Sequence, residues 1–145
     1  MKVLILGNGG REHALAWKLS RSPQCGKVYL EPGNAGTRHC GFEALGADLT
    51  TPERIAESAM KKDVTLVVIG PEALLARGYG EKLRGKGLLV VGPDSSEALL
   101  ETSKVFAKQF MKRAEVPTAG FSVIDTQCAL RAFQSTRWPI VLKLD

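Results

Sequence analysis

The chain opens on a pattern that narrows its possible folds at once. An apolar run from Lys2 to Leu6 stops at Gly7-Asn8-Gly9-Gly10-Arg11, and a helical pattern, Arg11 to Arg21, begins immediately. A strand that leaves through glycines into a helix returns by crossover, and the strand reached that way lies parallel to the first. The alternation then repeats. The first helix carries Leu15 and Leu19 on one face and ends near Pro23; Lys27 to Leu30 reads as a second strand, and Glu31 to Gly41 as a loop with three glycines and a proline. Thr51-Pro52-Glu53 is a helix start, with Thr51 as N-cap and Pro52 in the first helical position, and the helix runs to about Lys62. Val64 to Ile69 is apolar and largely β-branched, as a central parallel strand covered on both faces should be. A helix over Tyr79–Lys86 and a strand over Leu88–Val91 follow.

The expected fold is therefore α/β, a parallel sheet with helices on both faces. Ligands of such sheets sit at the carboxyl ends of the strands. The segments there are Gly7–Arg11, Pro32–Thr37, Gly70–Glu72 and Gly92–Ser95, and the last two share a strand-Gly-Pro-acid order. A long helix is expected over Ser95–Ala114, with Lys104 interrupting the column Leu100, Lys104, Ala107, Met111, Ala114. After Pro117 come an expected strand Ala119–Ile124, a helix Asp125–Ser135 and a strand Pro139–Leu144. That last strand, with Lys143 inside it, ends the sequence, which reads as a piece of something longer.

Composition excludes several classes. In 145 residues, 44% are hydrophobic and 24% charged, enough apolar material for a core. No apolar run has the length of a membrane span, and the run before Gly7 is too short for a signal peptide. Cys25, Cys40 and Cys128 are far apart and odd in number; with His13 and His39 they form no disulfide framework or metal-site spacing, and a reducing cytoplasm is the default. The net charge of +5 comes from scattered residues, as on solvated helix faces, so no nucleic-acid partner is expected. A phosphorylated small molecule is another partner for such a charge.

Gly7-Asn8-Gly9-Gly10-Arg11 is the segment with the clearest chemistry. Glycines let backbone approach a ligand, and a helix N-terminus with Arg11 beside it suits a phosphate or carboxylate. The dinucleotide fingerprint is half met: Gly7-x-Gly9-x-x leads to Glu12 where a small residue belongs, although Glu31 ends the second strand at a ribose-binding distance. A nicotinamide enzyme is thus the weaker alternative. Glu72, directly after the central strand, could hold an amine or ribose hydroxyls, or be a solvated loop acid. His13 fits capping or packing, and Trp17 and Trp138 fit packing. Lys104 could extend out of its column to water, whereas Lys143 in an apolar strand needs water or an anion.

The segments MKVLILGNGGREHALAWKL, EPGNAGT, VVIGPEALLARG, VVGPDSSEALLETSKVFAKQFM, VPTAGF and PIVLKLD together resemble the amino-terminal third of the phosphoribosylamine–glycine ligase family. The resemblance covers the whole sequence in order. It implies a Rossmann-like pre-ATP-grasp domain over 1–102 and the truncated start of an ATP-grasp unit over 103–145. It implies an ATP-dependent ligase of purine biosynthesis that joins phosphoribosylamine and glycine through a glycyl phosphate. By resemblance Gly7, Asn8, Gly9, Gly10, Arg11 and Glu12 face the 5-phosphate or ribose. Pro32, Gly33, Asn34, Gly36 and Thr37, with Pro71 and Glu72, wall the same pocket. Lys104 and Lys143 match lysines that contact ATP phosphates, which gives both misplaced lysines a reason. No catalytic residue and no metal ligand is expected within these residues; the magnesium ligands and the glycine-rich loop over ATP are expected beyond Asp145. Two departures stand out: Lys143-Leu144-Asp145 replaces the family's Lys-Ala-Asp-Gly, and residues 73–78 lack the usual proline. The competing functions are a related ATP-grasp ligase or carboxylase with another acceptor, and a non-enzymatic domain that binds a nucleotide or sugar phosphate.

Overall fold

The structure is a computed structural model that describes residues 1–124, 129 and 139–145. It divides into two compact units, Met1–Ala98 and Leu99–Asp145. In the first, β1 (Lys2–Gly7), α1 (Gly10–Ser20), β2 (Lys27–Pro32), α2 (Ala35–His39) and β3 (Glu43–Ala44) are followed by α3 (Pro52–Lys61) and β4 (Leu66–Ile69). Then come α4 (Glu72–Ala76), α5 (Tyr79–Gly85) and β5 (Leu89–Val91). The helix α6 (Ser95–Thr102) spans the division, and α7 (Lys104–Arg113) belongs to the second unit.

All pairings in the five-stranded sheet are parallel, in the order β3-β2-β1-β4-β5. Alternate β1 residues feed two cores. Leu4 and Leu6 face Ile55, Ala56 and Ala59 of α3 and Tyr79 and Leu83 of α5, whereas Val3 and Ile5 face Ala16 of α1. Each fully buried Leu, Ile or Val side chain among them is worth about 1.5–3 kcal/mol relative to exposure. The expected α/β fold with helices on both faces is what the chain adopts.

Several elements differ from expectation. α1 buries Glu12 and Ala16, with Leu19 partly covered, while Leu15 lies on the outer face. The small Ala16 lets the helix sit close to the strands. Trp17 is 53% exposed with the Arg21 guanidinium 4.8 Å above its ring, so it is not a core residue. The loop expected over Glu31–Gly41 contains α2, capped by Asn34, whose side chain accepts the Thr37 N–H. The single helix expected over Ser95–Ala114 is two, because Ser103 takes an extended conformation and its hydroxyl accepts the Phe106 N–H. Residues 119–124 and 139–144 form no strand: apart from the half-buried Ile140 their apolar side chains are exposed, and no described strand lies alongside to complete a ladder. Cys128, Trp138 and all of the helix expected over Asp125–Ser135 except Ala129 lie outside the described residues.

Candidate functional site

The order of strands reverses between β1 and β4, so the crevice of this sheet opens where the loops after those two strands part. Gly7 leaves β1 at φ 135°, a conformation that L side chains rarely adopt. Beneath the loop lies Glu12, 4% exposed. Its Oε2 accepts the Gly9 N–H at 2.7 Å and its Oε1 accepts from Arg11 Nε at 3.0 Å. A side chain at Gly7 would place Cβ 2.5 Å from the Glu12 Cγ, and one at Gly9 would reach 2.8 Å from its Oε2; at Gly70 a Cβ would overlap the carboxylate outright. A glutamate can therefore stand in the fingerprint's third position because three glycines, one of them across the crevice on the β4 loop, leave it room. Burial tends to raise the Glu12 carboxyl, but the Arg11 guanidinium and the Gly9 N–H outweigh it and hold the group below its ordinary value.

Three of the expected loops are joined directly. Arg11 Nη2 donates to the Gly70 carbonyl and lies 3.8 Å from Glu72 Oε2, which ties the glycine loop to Gly70-Pro71-Glu72. On the other side Gly33 N–H donates to the Gly7 carbonyl at 3.2 Å, and Asn34 Nδ2 to the Asn8 carbonyl at 2.8 Å. Thr37, buried, donates its hydroxyl to the Asn34 carbonyl at 2.8 Å and accepts the Asn34 N–H at the same distance. His13 packs edge-on against Phe42 with ring centres 6.2 Å apart, the second of the two roles expected of it, capping or packing. The edge thus presents Arg11 and Glu72, about half exposed, over a framework of bonded glycine backbone.

The fourth loop, Gly92–Ser95, turns instead to α5. Arg84 donates to the Gly92 carbonyl and to Asp94, and Glu81 Oε1 accepts from the Ser95 hydroxyl at 2.6 Å. Gly80 makes this possible, since a Cβ there would stand 2.9 Å from the Pro93 carbonyl.

The dinucleotide alternative loses its ribose contact. Glu31, which is buried, does not wait for a ribose: its Oε2 accepts the Gly46 and Ala47 N–H groups at 2.6 and 3.1 Å.

In the second unit Lys104 and Lys143 are both exposed. Sequence reading missed what lies beside Lys104. Asp145 Oδ1 accepts the Val105 N–H at 2.8 Å, and the Ser103 hydroxyl donates to both Asp145 oxygens at 3.0 and 2.9 Å. Ser103 was legible as an N-cap type residue inside a helical pattern; Asp145 was not, because nothing local marks a cap 40 residues away. Among the described residues no group of three or more His, Cys, Asp or Glu side chains gathers.

The fold and the loops at its crevice define a Rossmann-like α/β domain with glycine-rich turns at the carboxyl ends of its strands. More specifically, the chain belongs to the family described as phosphoribosylglycinamide synthetase, N domain, whose family model matches residues 1–101. It is 44% identical over its full length to a phosphoribosylamine–glycine ligase of Ralstonia nicotianae, of which it covers 34%. It is 45% identical, again over its full length, to the ligase of that name from a Nostoc species, of which it covers 35%. The chain thus spans about a third of the length of these curated relatives. Among solved structures it is similar to the biotin carboxylase domain of a thermophilic 2-oxoglutarate carboxylase bound to bicarbonate. The TM-score is 0.63 and the identity 23%, over 98% of this chain and 35% of the other, which speaks to fold alone.

Proposed function

We propose that this chain is the amino-terminal part of an ATP-dependent ligase that joins phosphoribosylamine and glycine to give glycinamide ribonucleotide, ADP and phosphate in purine biosynthesis. The observation that carries the reading is the union of Gly7–Arg11, Pro32–Thr37 and Gly70–Glu72 on one sheet edge by direct hydrogen bonds. These are the segments that would wall a phosphoribosylamine site. Arg11 supplies positive charge for the 5-phosphate, and Glu72 supplies a carboxylate for ribose hydroxyls or the amine. Glu12 acts from below, holding Arg11 and the Gly9 backbone in place.

Lys104 and Lys143 would neutralise ATP phosphates in a unit beginning near residue 103. Magnesium would be bound by residues beyond Asp145 in the whole enzyme. The partners are small molecules, with no nucleic acid or membrane among them, and the setting is cytoplasmic. No helix among the described residues is long and apolar enough to cross a membrane. Positioning and charge neutralisation are the contributions expected of these residues.

The test is Glu72→Gln in a full-length ligase carrying this segment. The KM for phosphoribosylamine should rise about tenfold, the loss of one charge-assisted hydrogen bond, with the KM for ATP nearly unchanged. An unchanged phosphoribosylamine KM would make Glu72 a turn residue only.

A further inference from the structure

Helix α7 begins at Lys104, and its first N–H groups need acceptors from outside the helix. Ser103 takes the Phe106 N–H at 3.0 Å, the usual service of an N-cap. The Val105 N–H goes to the Asp145 carboxylate, which lies 40 positions away in sequence. The Ser103 hydroxyl, having accepted from Phe106, turns its own proton to that carboxylate. The backbone of Lys104 lies between the two residues that Asp145 binds, and Lys143 is two residues from Asp145 itself.

We propose that Asp145 is a positioning residue: by docking on the start of α7 it holds the backbones of Lys104 and Lys143 at one fixed separation. Bond lengths and the reach of two extended residues bound that separation at about 15 Å. Two lysine side chains rooted that close can converge on neighbouring phosphates of one triphosphate. Without the dock, the residues around Lys143 would have to be ordered at the moment of binding, and that entropy would be subtracted from affinity. The carboxylate suits the task because a negative charge is favourable at a helix N-terminus. The Val105 N–H, then the Ser103 hydroxyl, hold it below its ordinary pKa, so it stays ionised at neutral pH. The inference that this dock serves ATP rests on the proposed role of the two lysines.

Two measurements separate the parts. In the 145-residue chain with its cysteines replaced by serine, spin labels at positions 104 and 143 should give one narrow distance distribution, and Asp145→Ala should broaden it. A distribution equally narrow in the variant would overturn the proposal. In a full-length ligase, Asp145→Ala should raise the KM for ATP about tenfold and leave that for phosphoribosylamine unchanged. Asp145→Asn, which keeps an acceptor for Val105, should restore most of the difference. If Lys104→Ala and Lys143→Ala raise the ATP KM and Asp145→Ala does not, the proposal fails while the lysine reading stands. If neither lysine variant raises it, the ATP role fails for all three residues, whatever the label distances show.

Discussion

Glu12 is the residue on which the crevice is built, and its neighbours follow from it. A carboxylate with two donors, 4% exposed, needs space that only Gly7, Gly9 and Gly70 leave. Gly70→Ala should therefore destabilise the protein by about 1–3 kcal/mol, the usual cost of overpacking. In a double-mutant cycle with Glu12→Ala most of that loss should vanish, whereas additive losses would show that the two positions do not share the space. Sequence alone shows the glycine loop and Arg11, because both are local. It misreads Glu12 as an obstacle to close packing, since the glycine that makes room for it sits 58 positions later on another loop. Asp48 gives a second residue-level test. Thr50, and then Arg54, lower its carboxyl to about 2. Its stabilisation should be complete above the unfolded value near 3.8 and disappear as pH falls towards 2. The stability difference between the protein and Asp48→Asn, followed by denaturant titration, should shrink over that interval; a difference constant from pH 5 to pH 2 would contradict the assignment.

At the scale of elements, most of the longer strands and helices were legible, as was the three-residue β5, while the other short pieces were not. β1, β2, β4, α1, α3 and α5 each carry enough residues to display a period or a cap, and all lie where expected to within a few residues. α2 and α4 have five residues each and β3 has two, too few for a periodic face to show. The reverse failure occurs over 119–124 and 139–144, where β-prone residues find no described partner and remain unpaired. The break between α6 and α7 is governed by one cap. Ser103→Ala should cost about 0.5–2 kcal/mol in the Leu99–Asp145 unit, read as faster hydrogen exchange at the Phe106 amide. Unchanged exchange there would mean that the break has another cause.

For the whole molecule, the family match covers residues 1–101 and the full relatives are about three times as long, so the proposed reaction belongs to the longer protein. Lys104 and Lys143 are exposed, and the glycine-rich loop and magnesium ligands of a complete triphosphate site are proposed to lie beyond Asp145. The 145-residue chain should accordingly show no ligase activity and bind ATP only at about millimolar Kd; micromolar binding by calorimetry would place a complete nucleotide site within it. The central claim concerns the sheet edge, and it is tested most directly by titrating the isotopically labelled chain with ribose 5-phosphate and following its amide signals by NMR. The account expects shifts at residues 8–13 and at Gly70 and Glu72, abolished by Arg11→Ala. Shifts confined to residues 95–115, with the glycine loop silent, would contradict it.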